Sequence, residues 1–261
     1  MATKKQDNML SLFEDNAGAG IGEITADDLA TPRIVLIQPG SPQIKKSSEK
    51  YLSDASVGDL LFTSTNTVID GQEGIRFLPV HFDRNYVEWR LREDGGGFIA
   101  VHDKNTPLMA QTTRDAKYND VLTKPDGSTT ILQNTANHYG FAEINGELQR
   151  CVINMSRSQL KVSRAWMGLI NGTRMNGAKG EFTPPSYSHW YVVRAVEVDG
   201  NKGNYYNFAV SQEGTLTDKE AELFSDAQEF SAFCREGGMQ MSLPKPEQGK
   251  AAVKELAEGE W

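Results

Sequence analysis

In the stretch "NMSRSQLKVSRAW", residues 154–166, Arg157, Lys161 and Arg164 recur at i, i+4 and i+7, along one side of a helix. Like charges at that spacing repel by roughly a few tenths of a kcal/mol. A line of cations on an acidic chain therefore implies an anionic partner outside the helix. The tract is wider than the helix: residues 148–180 hold Arg150, Arg157, Lys161, Arg164, Arg174 and Lys179 and no Asp or Glu. Such a patch attracts a polyanion, and phosphates are the groups it suits. A solvated face whose cations pair with acids of the same chain would give the same pattern.

Aromatic residues beside cations form a second set. Eleven of the 23 Phe, Trp and Tyr residues fall in two stretches, 75–98 and 187–208, and most of them must be core, because strands are where large rings pack. The alternation nevertheless puts Tyr86, Glu88, Arg90 and Arg92 on one face and Val87, Trp89 and Leu91 on the other. In the second stretch Tyr206, Phe208 and Val210 share a face, leaving Tyr205 near Lys202 on the other. Rings flanked by cations suit single-stranded nucleic acid: bases stack on the ring, at about 1–3 kcal/mol each, while the cations follow the phosphates. An amphipathic strand with a solvated charged side is the simpler alternative.

Enzyme signatures are missing. There is no Walker loop, no GxSxG and no HExxH, and "GGGF" at 95–98 lacks the strand-to-helix context of a phosphate loop, so it reads as a hairpin turn. His81, His102, His138 and His189 are scattered, as expected of partly buried strand histidines rather than of ligands or a catalytic base. Cys151 and Cys234 have no CxxC or Cys/His spacing around them and are expected to stay reduced. No catalysis, metal or other cofactor is expected.

The elements that would position these residues follow from the local patterns. "TPRIVLIQPGSP" gives a buried strand at Ile34–Gln38, and "IRFLPVHFDRNYVEWRL" a long alternating strand that returns through "GGGFIAVH" as a hairpin. "NHYGFAEINGELQRCVINM" is a hairpin across Asn145–Gly146. A helix Ser158–Ile170 follows, ended by Asn171–Gly172. "SYSHWYVVRAVEV" and "YYNFAVS" form a further hairpin across "DGNKGN". "LTDKEAELFSDAQEFSAFCREG" is an amphipathic helix with a Thr217 cap, Glu220 at the capping-box position and Gly237 beyond its end. Strands outnumber helices and there is no βαβ alternation. The fold expected is mainly β (β-rich α+β), an antiparallel OB-like barrel or sheet with two packed helices and flexible termini.

Residues 26–237 read as a single domain, with 103–135, hydrophilic around "KPDG", as an insertion or long loop. Residues 1–25 read as a flexible acidic arm and 238–261 as a flexible acidic tail. The charge divides accordingly: residues 31–211 carry 20 Lys/Arg against 18 Asp/Glu, a net of +2, and the other 80 residues 7 against 17, a net of −10. Acidic ends could cover a basic groove until nucleic acid displaces them. Glu255, Glu258, Glu260 and Trp261 combine acids with a terminal aromatic, an anchor of the kind that engages replication partners; a frayed end is the alternative. No run reaches the roughly 18 apolar residues of a membrane helix, and the start lacks a secretory signal's apolar stretch.

"DLATPRIVLIQPGSP", "FLPVHFDRNYVEW", "GGGFIAVHD", "MSRSQLKVSRAW" and "GNKGNYYNFAVSQEG" resemble, in order and spacing over most of residues 25–235, a family of bacteriophage proteins regarded as single-stranded DNA-binding proteins. The resemblance implies an OB-fold core with an acidic C-terminal tail, a place among phage replication genes and the host cytoplasm as the site of action. No functional residue of that family is carried over. The expected partners are single-stranded DNA and, through the tail, phage replication proteins, with no membrane and with a homo-oligomer compatible. A non-catalytic protein-binding module, a phage structural or host-takeover factor, is the alternative.

Overall fold

The computed structural model describes residues 3–16, 19–20, 31–200 and 203–237, with backbone alone for residues 3–8 and Arg92. The alternating runs become strands, and nearly all of them join one sheet. In chain order they are β1 (Arg33–Leu36), β2 (Leu60–Phe62), β3 (Thr67–Ile69), β4 (Ile75–Arg90), β5 (Phe98–Asp103), β6 (Thr112–Arg114), β7 (Asp120–Thr123), β8 (Thr129–Ile144), β9 (Glu147–Ser156), β12 (His189–Val198) and β13 (Tyr205–Thr215); β10 (Met175–Gly177) and β11 (Gly180–Phe182) form a separate hairpin. The helices are α1 (Thr3–Asp15), α2 (Gln159–Gly172) and α3 (Ala221–Arg235). The 11-stranded sheet runs β13-β12-β4-β8-β9-β1-β2-β3, with β5 added to β4, and β7 followed by β6 added to β8.

The mainly β class expected from the sequence is found, as a strongly curled half-barrel on which two helices, α2 and α3, pack; among the described residues a third helix, α1, lies within the segment read as an arm. The curl brings β1 toward β13. The Gln38 side chain, just beyond β1, donates from Nε2 to the Tyr206 carbonyl at 2.8 Å and accepts from the Tyr206 N–H at 3.0 Å.

Two strands organise everything. β4 and β8 pair antiparallel from Phe77↔Ala142 to Arg90↔Thr130. Their near halves also pair with β12 and β9, and their far halves with β5 and β7. Pro79 has no N–H for the ladder, and the register shifts between Pro79 and His81 as a bulge. At the β8–β9 turn, Asn145 (φ 53°) and Gly146 (φ 82°) both take the left-handed conformation that a two-residue hairpin needs.

The core has two sides. On one, Phe77, Ile153, Met155, Tyr191 and Phe208 pack against Trp166 and Ile170 of α2. Trp166 meets Phe77 edge-on at 5.6 Å and stacks on His138 at 4.3 Å. His138 is buried, its Nε2 lies 2.9 Å from Ser163 Oγ, and burial pushes its pKa down to about 3, so the ring is neutral at physiological pH. On the other side Leu78, Tyr139, Phe141 and Trp190 pack against Ala227, Phe230 and Cys234 of α3. The expected capping box fixes the approach to α3: Glu220 Oε2 accepts from the Thr217 N–H at 2.9 Å, and Glu220 Oε1 accepts from Trp190 Nε1–H at 2.8 Å. Cys151 and Cys234 are free thiols buried on opposite sides.

The segment 103–135 carries β6, β7 and the start of β8, so it widens the sheet. It also covers the β4 face expected to be solvated. Glu88 is only 4% exposed and accepts from Lys124 Nζ (2.9 Å) and Thr130 Oγ1 (2.8 Å), with His102 Nε2 at 2.8 Å. Burial alone would push the Glu88 carboxyl up; the hydrogen bonds from Lys124, His102 and Thr130 bring it below its usual range.

Candidate nucleic-acid interface

β9 passes into α2 through Arg157, whose φ of +50° makes a sharp left-handed corner that few side-chain-bearing residues adopt. The corner turns the start of α2 back over the first half of β8. Arg157 Nε donates to Gln133 Oε1 at 3.3 Å. Seven residues further, about two helical turns, Arg164 projects from the first half of α2 and is exposed.

Opposite this end stands the β6–β7 hairpin. Its tip is held by Asp115, whose Oδ1 accepts from the backbone N–H of Lys117 and of Asn119, each at 2.8 Å, and whose Oδ2 accepts from Asn119 Nδ2 at 2.9 Å. These bonds hold the Asp115 carboxyl below its ordinary range, the Asn119 backbone bond first among the causes. The tip presents Tyr118 79% exposed at φ +62°, with Arg114 Nη2 donating to the Tyr118 carbonyl at 3.2 Å. A bulky residue in the left-handed region is a conformational outlier. The third wall is the β12–β13 turn, where Gly200 leaves room for the Tyr205 ring: a Cβ there would meet ring carbons at 3.2 Å.

Between these walls lies a groove of about 910 Å³, floored by Ile131–Asn134 of β8. Among the described residues Arg114, Lys117, Arg157 and Arg164 line it against one acid, Asp120, and Tyr118 and Tyr205 stand at its sides. Asp120 is 3.7 Å from Arg114. Among the described residues no carboxylate pairs with Lys117, Arg157 or Arg164.

Of the residues singled out from the sequence, the structure thus brings Arg157, Arg164 and Tyr205 together. Lys161 is exposed on α2 but does not line the groove. Arg174 is exposed beyond the C-terminal end of α2, where Nη1 donates to the Asn171 and Thr173 carbonyls at 2.7 and 3.0 Å. It satisfies helix-end acceptors, as cations there do. Lys179 is exposed between β10 and β11. Arg150 lies on the α3 side, its guanidinium 5.1 Å from the Phe230 ring centre and 5.7 Å from that of Phe141. Tyr86 is half-buried on β4 and Arg90 exposed at its end, both outside the groove lining. The Arg92 side chain, Lys202 and the tail residues Glu255, Glu258, Glu260 and Trp261 lie outside the described residues.

Sequence reasoning missed Arg114, Lys117 and Tyr118. The available signal was "RDAKYND", a turn-forming Asp with cations and a ring around it, inside the segment read as an insertion. Among the described residues no cluster of His, Cys, Asp and Glu is placed to hold a metal ion, and no helix is long and apolar enough to cross a membrane.

Fold and groove together define the class: a mainly β protein whose curled sheet carries a basic cleft edged by tyrosines. Residues 3–240 match the model of the Pam3 phage gp34-like protein family, and the chain belongs to that family of phage proteins. Neither a curated protein nor a solved structure matches it.

Proposed function

We propose that the protein is a non-catalytic single-stranded DNA-binding protein of phage replication or recombination, acting in the host cytoplasm with little sequence preference. One observation carries this reading. Four cations and two tyrosines, drawn from residues 114–118, 157–164 and 205, converge on one groove that holds a single carboxylate among the described residues. Cations that follow a phosphate backbone and rings that accept any base are the two components of sequence-tolerant strand binding. The reading of the curled sheet as an OB-like barrel rests on its curvature and on the Gln38–Tyr206 pair that draws β1 toward β13. The tail contact to replication proteins through Glu255, Glu258, Glu260 and Trp261 belongs to the same proposal.

Fluorescence anisotropy with an oligothymidylate and a duplex of equal length, titrated over a salt range, tests it. Single strands should bind more tightly, with log affinity falling against log salt by about 0.7 per phosphate neutralised. Equal affinity for the duplex, or no binding at about 50 mM salt, refutes it.

A protein-binding module is the second reading, favoured by α1. Met9, Leu10, Leu12 and Phe13 are 49, 60, 50 and 63% exposed on that helix. An amphipathic helix that leaves its apolar residues uncovered suits a groove on another protein. Absence of strand binding in the titration would make this the leading reading.

A further inference from the structure

β1 runs beside β9 for two residues only, Arg33↔Val152 and Ile34↔Ile153, and then leaves it. Beside the parting strands lies a second, smaller cavity of about 430 Å³. Arg33 of β1, Trp89 of β4, Gln133 of β8, Asn154 of β9, Arg157 and Tyr206 line it, and no Asp or Glu does among the described residues. Its volume exceeds what a bare phosphate needs and falls in the range of small-ligand sites. Gln133, Arg157 and Ser158 also line the large groove, so the slot and the groove share a wall.

Arg33 is the anomaly. The residue is half-buried, and among the described residues no carboxylate pairs with it. Burial is the cause that lowers its pKa, with no acid opposing. A buried charge without a counter-ion is costly, and proteins ordinarily pair it. A second buried group in the same slot is also unsatisfied: Trp89 Nε1–H has no hydrogen-bond acceptor. A buried donor without an acceptor and a half-buried cation without a counter-ion face one cavity with aromatic and amide walls.

We propose that this slot receives a nucleotide phosphate, with Arg33 as its counter-charge and the aromatic walls packing its base. Two sources share that chemistry, a free mononucleotide and the phosphorylated end of a strand lying in the groove. The strand-end source rests on the single-strand reading above; the mononucleotide does not. Arg157, common to both cavities, sets the slot directly beside the groove.

Calorimetric titration of the full chain with thymidine monophosphate and with thymidine tests the slot itself. The monophosphate should bind at least about tenfold more tightly than the nucleoside, consistent with one charge-assisted phosphate contact. Arg33→Gln should abolish that difference and raise the melting temperature, because it removes a half-buried charge that has no counter-ion. A purely structural arginine would lower it instead. Trp89→Phe, which keeps the ring and removes the donor, should weaken the monophosphate severalfold without unfolding the chain. In parallel, anisotropy compares oligothymidylate with and without a terminal phosphate. A terminal phosphate that tightens wild type but not Arg33→Gln supports the strand end as occupant. If the monophosphate binds and oligothymidylate does not, the slot stands and the single-strand reading falls. If oligothymidylate binds while thymidine monophosphate matches thymidine and the terminal phosphate changes nothing, the slot proposal is overturned.

Discussion

α2 and α3 pack on opposite sides of the same strands and carry opposite charge. α2 presents Lys161 and Arg164 and has no acid; α3 has Glu222, Asp226 and Glu229 and one cation, Arg235. The cations near them also behave differently. On the α3 side Arg150 lies over Phe141 and Phe230, and Arg76 lies over the Trp190 ring at 4.4 Å while bonding Glu143 and Glu213 at 2.8 and 2.7 Å. On the α2 side, among the described residues, Arg157 has Gln133 as its side-chain partner and Arg164 meets no carboxylate. Equal charge thus does unequal work. Around α3 cations are spent on rings and carboxylates of the protein itself, and around α2 they are left for something else.

The largest expected effect tests whether α2 is core as well as platform. Trp166→Ala removes a ring that is 1% exposed between Phe77, His138 and Tyr191, and should cost about 3–5 kcal/mol in a denaturant melt. A loss below about 1 kcal/mol would show that α2 rests on the sheet loosely.

Next comes charge. Reversing Arg157 and Arg164 to Glu should weaken strand binding about 30-fold, roughly 2 kcal/mol, and make the salt slope shallower by about 1.4. The melting temperature should barely move, since exposed charges contribute little to stability. If the variant unfolds, the two cations are structural and the contrast between the helices collapses.

The α2 side also contains the pH response. Native His138 stays neutral down to about pH 3, whereas in the unfolded chain it titrates near its ordinary value of 6.5. The unfolded state therefore binds the extra proton below that value. Stability from this group is complete above about pH 6.5 and falls by about 1.4 kcal/mol per unit below it, roughly 2 kcal/mol by pH 5. His138→Gln should flatten that part of the profile. A profile unchanged by the substitution would place the acid sensitivity elsewhere, His81 and His189 being depressed by burial in the same sense.

The smallest effects sharpen the contrast. Arg150→Ala should cost about 0.5–1 kcal/mol of stability through its ring contacts and leave strand affinity within about twofold. Lys161→Gln should leave stability unchanged and weaken binding by no more than about twofold, well short of Arg164→Gln, because only Arg164 lines the groove. Equal losses from the two would mean that the strand follows the helix line instead of the cavity.

What the sequence made legible was local. Asn145–Gly146, the Thr217–Glu220 box and the start of α2 each carry their signal within a few residues and stand where those signals put them, whereas α2 runs on through Asn171 and Gly172, read as its end. The groove is not local: it requires residues near 117, 157 and 205 to meet, and no spacing rule encodes that. Arg150 and Arg157 are indistinguishable as entries in a basic tract; only the corner at Arg157 and the sheet between them assign one to each side. Glu88 shows the same limit. Alternation gave its face correctly, but not that Lys124 and Thr130 would cover it.

The two thiols on opposite sides of the sheet amount to a pair of clocks. Burial raises the pKa of both, Cys234 to about 12, so almost no thiolate exists at neutral pH in the closed molecule. Each thiol then reacts with a maleimide only when its own side opens. The labelling rate of Cys151 reports how often the strands under α2 part, and that of Cys234 how often α3 lifts away. A bound strand that holds the α2 end in place would slow the first clock and leave the second running.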